Sequence, residues 1–523
     1  MDISRAETGI SYQCLYSTTD RLRKEIICNL NMYVDRKSDN GIVPEKLLNE
    51  GNKILEEKVE GRLLTEGNAG QSATRRTQGR ESVSSGLASV RKRAREDKAL
   101  KFTALLHHVT IEQLRESYLA LKRNAAPGVD KMTWRDYGNG LNINLKHLYE
   151  KVHAGKFKAL SSKRCYIPKA DGSQMALGIA SIEDKIVQHA LVTVLNAIYE
   201  TDFLGFSYGF RPERNAHNAL DAVAVGMKVK KVNWVLDADI QGFFDNMNHE
   251  LLLKFLRHRI ADKRVLRLIT KWLKAGVSED GNWSDVTKGC PQGSVISPLL
   301  SNIYLHYVLD LWVQAYRTKI AKGDILIVRY ADDFIIGFKL KNEANGFMLH
   351  LKDRFAKFGL QLHEKKTKLI RFGQFARQQR KELGEGKPET FDFLGFTHIC
   401  AETHLNHKFV VKRVTIKKRM RKKLQEIKVE LNKRKHMSVV QTGKWIRSVI
   451  QGYFNYHAVP GNLRILSSFK RDICLMWLKS LRWRSQRSRM TWKRFSKLLV
   501  IFIPPLRRMH NYPHERFDVR YTQ

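Results

Sequence analysis

The chain has 523 residues, 43% of them hydrophobic, and carries 93 Lys and Arg against 52 Asp and Glu, a formal charge of +41. That excess predicts a polyanionic partner, nucleic acid above all, and the length predicts several domain-sized units with proper cores. No apolar run nears the roughly 18 residues that cross a bilayer, and the scattered cysteines at 14, 28, 165, 290, 400 and 474 form no C-x-x-C pair, which excludes a zinc ribbon or a disulfide framework.

Residues 1–100 read as an N-terminal extension. Asp2, Arg5, Glu7, Asp20, Arg21 and Arg23 do not make a signal peptide, so a cytoplasmic, nucleoid-associated protein with no membrane partner is expected. Gly67 to Gly86 is small and polar and predicts a flexible linker. The run Arg91-Lys92-Arg93-Ala94-Arg95 fits either an arm along an RNA backbone or a solvated helix face.

From 101 the pattern is globular. Ser181-Ile182-Glu183-Asp184 resembles a capping box, and Ile186, Val187, Ala190, Leu191, Val194, Leu195 and Ile198 keep helical spacing behind it. Strands and helices then interleave without a βαβ rhythm, which predicts an α+β fold. A strand from Val232 to Leu236 runs into Asp237-Ala238-Asp239, followed by Gly242-Phe243-Phe244-Asp245. Farther on, Ile325–Arg329 and Phe334–Phe338 read as two strands around Tyr330-Ala331-Asp332-Asp333. The expected hairpin presents two acids at its tip.

Asp239 and Asp332 lie 93 residues apart, so only the fold can join them. Carboxylates that converge from separate strands suit two-metal phosphoryl transfer, in which a pair of Mg²⁺ ions activates a hydroxyl and neutralises a leaving phosphate. Asp239, Asp332 and Asp333 are the candidate catalytic and metal-binding residues, with the Ile240 carbonyl as a further ligand. The alternative for Asp332-Asp333 is a plain polar turn.

Residues 401–500 read as almost wholly helical, ahead of a basic tail at 501–523. From 401 onwards there are 30 Lys and Arg against 6 Asp and Glu. Met420, Leu424, Ile427 and Leu431 form an apolar stripe, and Lys417, Lys418, Arg419, Arg421, Lys422 and Lys423 crowd the rest of that helix. A helix of this kind can bury its stripe and face phosphates. Tyr453, Phe454, Tyr456, Trp477, Trp483 and Trp492 read mostly as core, with one or two available to stack on bases.

The motifs follow a definite order. Ala126-Pro127-Gly128-Val129-Asp130 precedes Tyr166-Ile167-Pro168-Lys169, Leu177-Gly178-Ile179 and Ser207-Tyr208-Gly209-Phe210-Arg211-Pro212. After the Asp239 strand come Cys290-Pro291-Gln292-Gly293 through Ser301-Asn302, the Asp332-Asp333 tip, Glu364-Lys365-Lys366-Thr367-Lys368 and Phe391-Asp392-Phe393-Leu394-Gly395-Phe396. This series, over about residues 101–400, resembles the reverse transcriptases encoded by bacterial group II introns. The basic helical region with Gly452-Tyr453-Phe454-Asn455-Tyr456 is similar to their thumb, or maturase, domain.

The resemblance implies a right-hand fold of fingers, palm and thumb that copies RNA into DNA from dNTPs and a DNA primer and binds intron RNA to assist splicing. It implies nucleotide-binding roles for Lys169, Phe244, Gln292 and Lys366. Phe244 would lie beneath the incoming sugar and exclude a 2′-hydroxyl, unless it is a plain core aromatic. Template or primer contacts are implied for Arg211, Phe393, Leu394 and Gly395.

The family's fingers arginine is replaced here by Met175, which removes a bidentate phosphate clamp and predicts weaker dNTP binding. No paired cysteines with histidines follow the thumb region, so DNA cleavage is not expected. The competing readings are a splicing maturase that has lost synthesis and a related enzyme serving DNA repair or phage defence.

Overall fold

The computed structural model describes residues 78–168, 174–279, 282–284, 288–403, 407–484 and 490–515. Lys169, most of the 1–100 extension and the end of the 501–523 tail lie outside them. Of the described residues, 78–394 with 400–411 form one compact unit, and 395–399 with 412–515 form another.

In the larger unit, helix α1 (Gln78–Glu96) takes up the second half of the expected linker. Its small polar residues are weak helix formers, but Val90 and Ala94 are buried in the main core, and tertiary packing decides the outcome. Arg91, Lys92, Arg93 and Arg95 are exposed beside them, so the basic run is a solvated helix face. Helices α2 (Ile111–Ala120), α3 (Trp134–Gly138) and α4 (Leu141–His153) follow.

Strands β1 (Ser162–Pro168) and β2 (Gln174–Ile179) pair antiparallel and lead into helix α5 (Ile182–Asp202). The α5 cap is partly as expected. Ser181 Oγ accepts from the Asp184 N–H, while the Asp184 carboxylate accepts from Ser181 Oγ and from Trp272 Nε1 instead of the N-cap backbone. The predicted apolar stripe of α5 is fully buried.

Helix α6 (Ala216–Val229), strand β3 (Trp234–Ala238) and helices α7 (Phe243–Asn246), α8 (His249–Leu256) and α9 (Lys263–Lys274) come next. Short strands β4 (Val277–Glu279) and β5 (Asn282–Ser284) complete a first sheet in the order β2-β1-β4-β5.

Past α10 (Ser297–Leu305) and α11 (Leu311–Lys319), strands β6 (Ile325–Tyr330) and β7 (Asp333–Phe338) form the expected hairpin. Helix α12 (Lys341–Ala356) and strand β8 (Lys368–Arg371) complete a second sheet in the order β6-β7-β3-β8. Leu326, Ile327 and Val328 are buried in succession, as are Ile335 and Ile336, so both faces of the hairpin are covered and its strands read as continuous apolar runs. Helix α13 (Ala376–Glu382) and strand β9 (Phe391–Phe393) end this stretch.

Strands β10 (Phe396–Glu402) and β11 (Phe409–Thr415) contribute to both units. The smaller unit is otherwise helical: α14 (Lys417–Lys433), α15 (Val439–His457), α16 (Leu463–Arg482) and α17 (Trp492–Phe502). Leu424, Ile427 and Leu431 of α14 enter its core beside Phe454 and Trp477, while Lys417, Lys418, Arg419, Arg421 and Lys422 stay exposed. Tyr453 stacks on Phe469 inside this unit, whereas Trp483 and Trp492 are exposed.

Candidate active site

The β6–β7 ladder closes at the pair Tyr330 and Asp333, which leaves Ala331 and Asp332 as a two-residue tip. Ala331 takes a positive φ of 59° to make that reversal. On its other edge β7 pairs antiparallel with β3, and Ala238 lies opposite Phe334. Continuing that register by one residue brings Asp239 level with Asp333, so the 93-residue gap in sequence is closed by two neighbouring strands.

The electrostatics report the same convergence. Burial, together with the nearby Asp239 charge, raises the Asp332 carboxyl above its ordinary value, against the pull of Arg329 and Lys366. Asp237, which reads from sequence only as part of a strand, is pushed up to about 7 by burial and by the charges of Asp333, Asp392 and Asp239, with Lys368 opposing. Lys366 Nζ donates to Asp239 Oδ2 at 2.8 Å, so this candidate nucleotide ligand sits among the acids.

Among the described residues, no three His, Cys, Asp or Glu side chains form a ready-made metal cage. The donor set still fits a hard divalent cation. Carboxylates that raise one another's pKa gain from an added positive charge, and Mg²⁺ commonly uses only one or two carboxylates and keeps several waters.

The Ile240 carbonyl is compatible with the expected ligand role. Ile240 bridges Leu362, but the Asp239 carbonyl and the Gln241 N–H carry the hydrogen bonds there, with His363 and Gln361.

What holds the tip was not read from sequence. Arg329 is fully buried and grips Asp310 through two bonds, from Nε at 2.7 Å and Nη2 at 2.6 Å. Its Nη1 donates to Asn302 Oδ1 at 3.0 Å and to the Ala331 carbonyl at 2.9 Å. Asn302 in turn donates to the Gly209 carbonyl at 2.7 Å. At Gly209 a Cβ would stand 2.2 Å from the Ala331 nitrogen, so only glycine lets this loop lie against the tip.

The Pro291-Gln292-Gly293 turn is strapped between two elements. The Cys290 N–H donates to the Phe244 carbonyl and the Gln292 carbonyl accepts from the Gly178 N–H, both at 2.7 Å. Gly293 has φ +105°, and a Cβ there would meet the Gly178 oxygen at 2.9 Å. Phe244 and Gln292 are therefore set on one scaffold, with Phe244 half-buried against Phe243. Met175 lies opposite Ile167 in the β1–β2 ladder.

Two expectations about nucleic-acid contacts need correction. Arg211 is buried, and its guanidinium donates to the Glu200 carboxylate and to the Leu204 and Ser207 carbonyls, so it braces its own loop and is not offered to a template. The Phe393 side chain is turned into the core. A primer grip by this strand would rest instead on Leu394 and Gly395, which both have positive φ, 46° and 84°.

The family described as reverse transcriptase (RNA-dependent DNA polymerase) matches residues 167–398. The protein YkfC of Escherichia coli is 34% identical over 286 residues, covering 48% of this chain and 75% of that one. The group II intron-encoded protein LtrA of Lactococcus lactis is 36% identical over 176 residues, 34% of this chain and 29% of its own length. Among solved structures, a telomerase from Candida albicans in complex with a fragment of telomeric RNA matches at a TM-score of 0.37 and 13% identity, over 66% of this chain and 62% of that one.

Proposed function

The chain belongs to the reverse transcriptases and maturases of the group II intron type, and on that premise we propose that it is an RNA-directed DNA polymerase that also binds intron RNA to assist splicing. The observation that carries the reading is the β3–β7 register, which brings Asp239 level with the Asp332-Asp333 tip. The substrates are dNTPs, an RNA template and a DNA primer 3′ end.

Asp239 and Asp332, with the Ile240 carbonyl, would hold a pair of Mg²⁺ ions, and exposed Asp333 completes the anionic rim. Such ions would supply the positive charge that lowers the pKa of the primer hydroxyl and offsets the leaving pyrophosphate. The protein's own part is positional. The Arg329–Asp310 pair and the Gly209 loop fix the tip, and Lys366 carries the compensating charge when the acids are otherwise unscreened.

Phe244 and Gln292 shape the nucleotide pocket, with the Phe244 ring excluding a 2′-hydroxyl. Lys169, outside the described residues, would meet the triphosphate. Leu394 and Gly395 support the primer. The sheet and its acids serve as palm, the β1–β2 region as fingers, and the basic helical unit around α14 as thumb and RNA-binding surface, in a right-hand polymerase fold. Primer extension on an RNA template with Mg²⁺ and dNTPs tests the proposal, and its absence in folded protein would leave only the maturase reading.

A further inference from the structure

The larger unit carries a cleft of about 610 Å³ that no step of synthesis uses. It opens at the end of the second sheet opposite the acids. Strand β8 sets Lys368 beside Asp237 and, three residues on, Arg371 beside Trp234. At about 3.4 Å per residue the cleft, which starts beyond Arg371, lies more than roughly 10 Å from the carboxylates. Its near wall is anchored, because a Cβ on Gly373 (φ +153°) would overlap the Val232 carbonyl oxygen.

The lining has three chemical parts. The floor is neutral: Cys400 donates to the Gly373 carbonyl, and burial pushes its thiol up to about 11. One acid is present, Glu402, and Arg377 Nη1 already holds it at 2.8 Å. Lys228 and Lys408, both exposed, add two ammonium groups to the lining. The ring of Phe375 stands 38% exposed in the lining, with the amides of Gln374 and Gln378 beside it, and Gln378 Nε2 donates to Glu382 Oε1 at 2.9 Å.

A cavity of this size fits a small ligand. The exposed ring offers a stacking face, the Gln374 amide and the Gln378 side-chain carbonyl can pair with base edges, and the lysines can meet phosphate. We propose that this cleft holds one unpaired nucleotide of a bound RNA strand, with its base on Phe375 and its phosphate between Lys228 and Lys408. The proposal rests on the RNA-binding reading above and gives it a specific seat away from the catalytic acids. An acidic peptide would use the lysines but would leave the ring and the amides without a role.

The test uses the full chain, ultraviolet crosslinking to single-stranded RNA carrying 4-thiouridine, and peptide mapping. The expected result is a crosslink within residues 373–378 that unlabelled RNA competes away and excess AMP does not. Its yield should fall about tenfold in the Lys228→Glu/Lys408→Glu double variant, because two phosphate contacts are reversed. Phe375→Leu should lower the yield as well, since it keeps apolar bulk but removes the stacking face.

Primer extension on a pre-annealed template should be unchanged in both variants. Crosslinks that fall only elsewhere, or a yield indifferent to the variants, would overturn the proposal. Displacement by AMP alone would also overturn it in favour of a free mononucleotide. A chain that extends primers but never crosslinks here refutes the seat without touching the polymerase reading, whereas a chain that binds no RNA refutes both.

Discussion

Lys366 Nζ lies 2.8 Å from Asp239 Oδ2, so an ammonium group rests where a catalytic cation would find its carboxylate. Lys366 is well exposed, and the isolated contact contributes little in water. Its importance lies in screening Asp239 from Asp332. Lys366→Met should therefore lower the melting temperature in EDTA more than in saturating Mg²⁺, because a bound ion restores the missing charge. Equal losses with and without Mg²⁺ would mean that the lysine does not share a site with the metal.

Arg329 and Asp310 are both fully buried, so removing either leaves an unpaired charge in the core. Arg329→Met or Asp310→Leu alone should cost roughly 3–5 kcal/mol, and the double change should cost less than either one. Because Arg329 also donates to the Ala331 carbonyl, synthesis should fall further than stability predicts in any variant that still folds. Denaturant unfolding combined with primer-extension rates on the folded fraction would check this. Additive costs would contradict it.

The nucleotide pocket supplies a second pair of tests. Met175→Arg adds the planar phosphate fork this strand lacks, and the KM for dNTPs should drop. Phe244→Val should admit ribonucleotides by removing the ring beneath the sugar. Unchanged KM and unchanged discrimination would show that neither side chain faces the substrate.

His306 is held down to about 4, from an ordinary 6.5, chiefly by burial. Between those values the unfolded chain binds a proton that the folded chain refuses. The stability contributed by neutral His306 is therefore complete above about pH 6.5 and is lost as pH falls towards 4, up to about 3 kcal/mol in all. His306→Gln should flatten the stability curve across that window relative to the parent. Parallel curves would show that another group controls acid unfolding.

Much of the site was legible because its signals are local. Two β-branched runs around Asp332 and Asp333 can hardly be anything but a hairpin, and the stripe of α5 repeats at helical spacing. Long-range partners left no such trace. Arg329 looks like the polar end of a strand until Asp310 and Asn302 surround it. Asp237 looks incidental until burial, with the charges of Asp333 and Asp392, raises its pKa.

An arginine in a loop suits phosphate and a carboxylate equally well, and only the fold shows that Arg211 meets Glu200. The polar residues at 78–86 favour coil, and the burial of Val90 and Ala94 farther along the same helix reverses that preference through packing.

The most direct test compares wild type with Asp332→Ala and Asp239→Ala in one assay that records both dNTP incorporation on an RNA template and affinity for that RNA, across a Mg²⁺ titration. Both variants should lose incorporation at every Mg²⁺ concentration and bind the RNA as tightly as the parent. A variant that keeps synthesising DNA without either carboxylate would contradict the shared site on which this account stands.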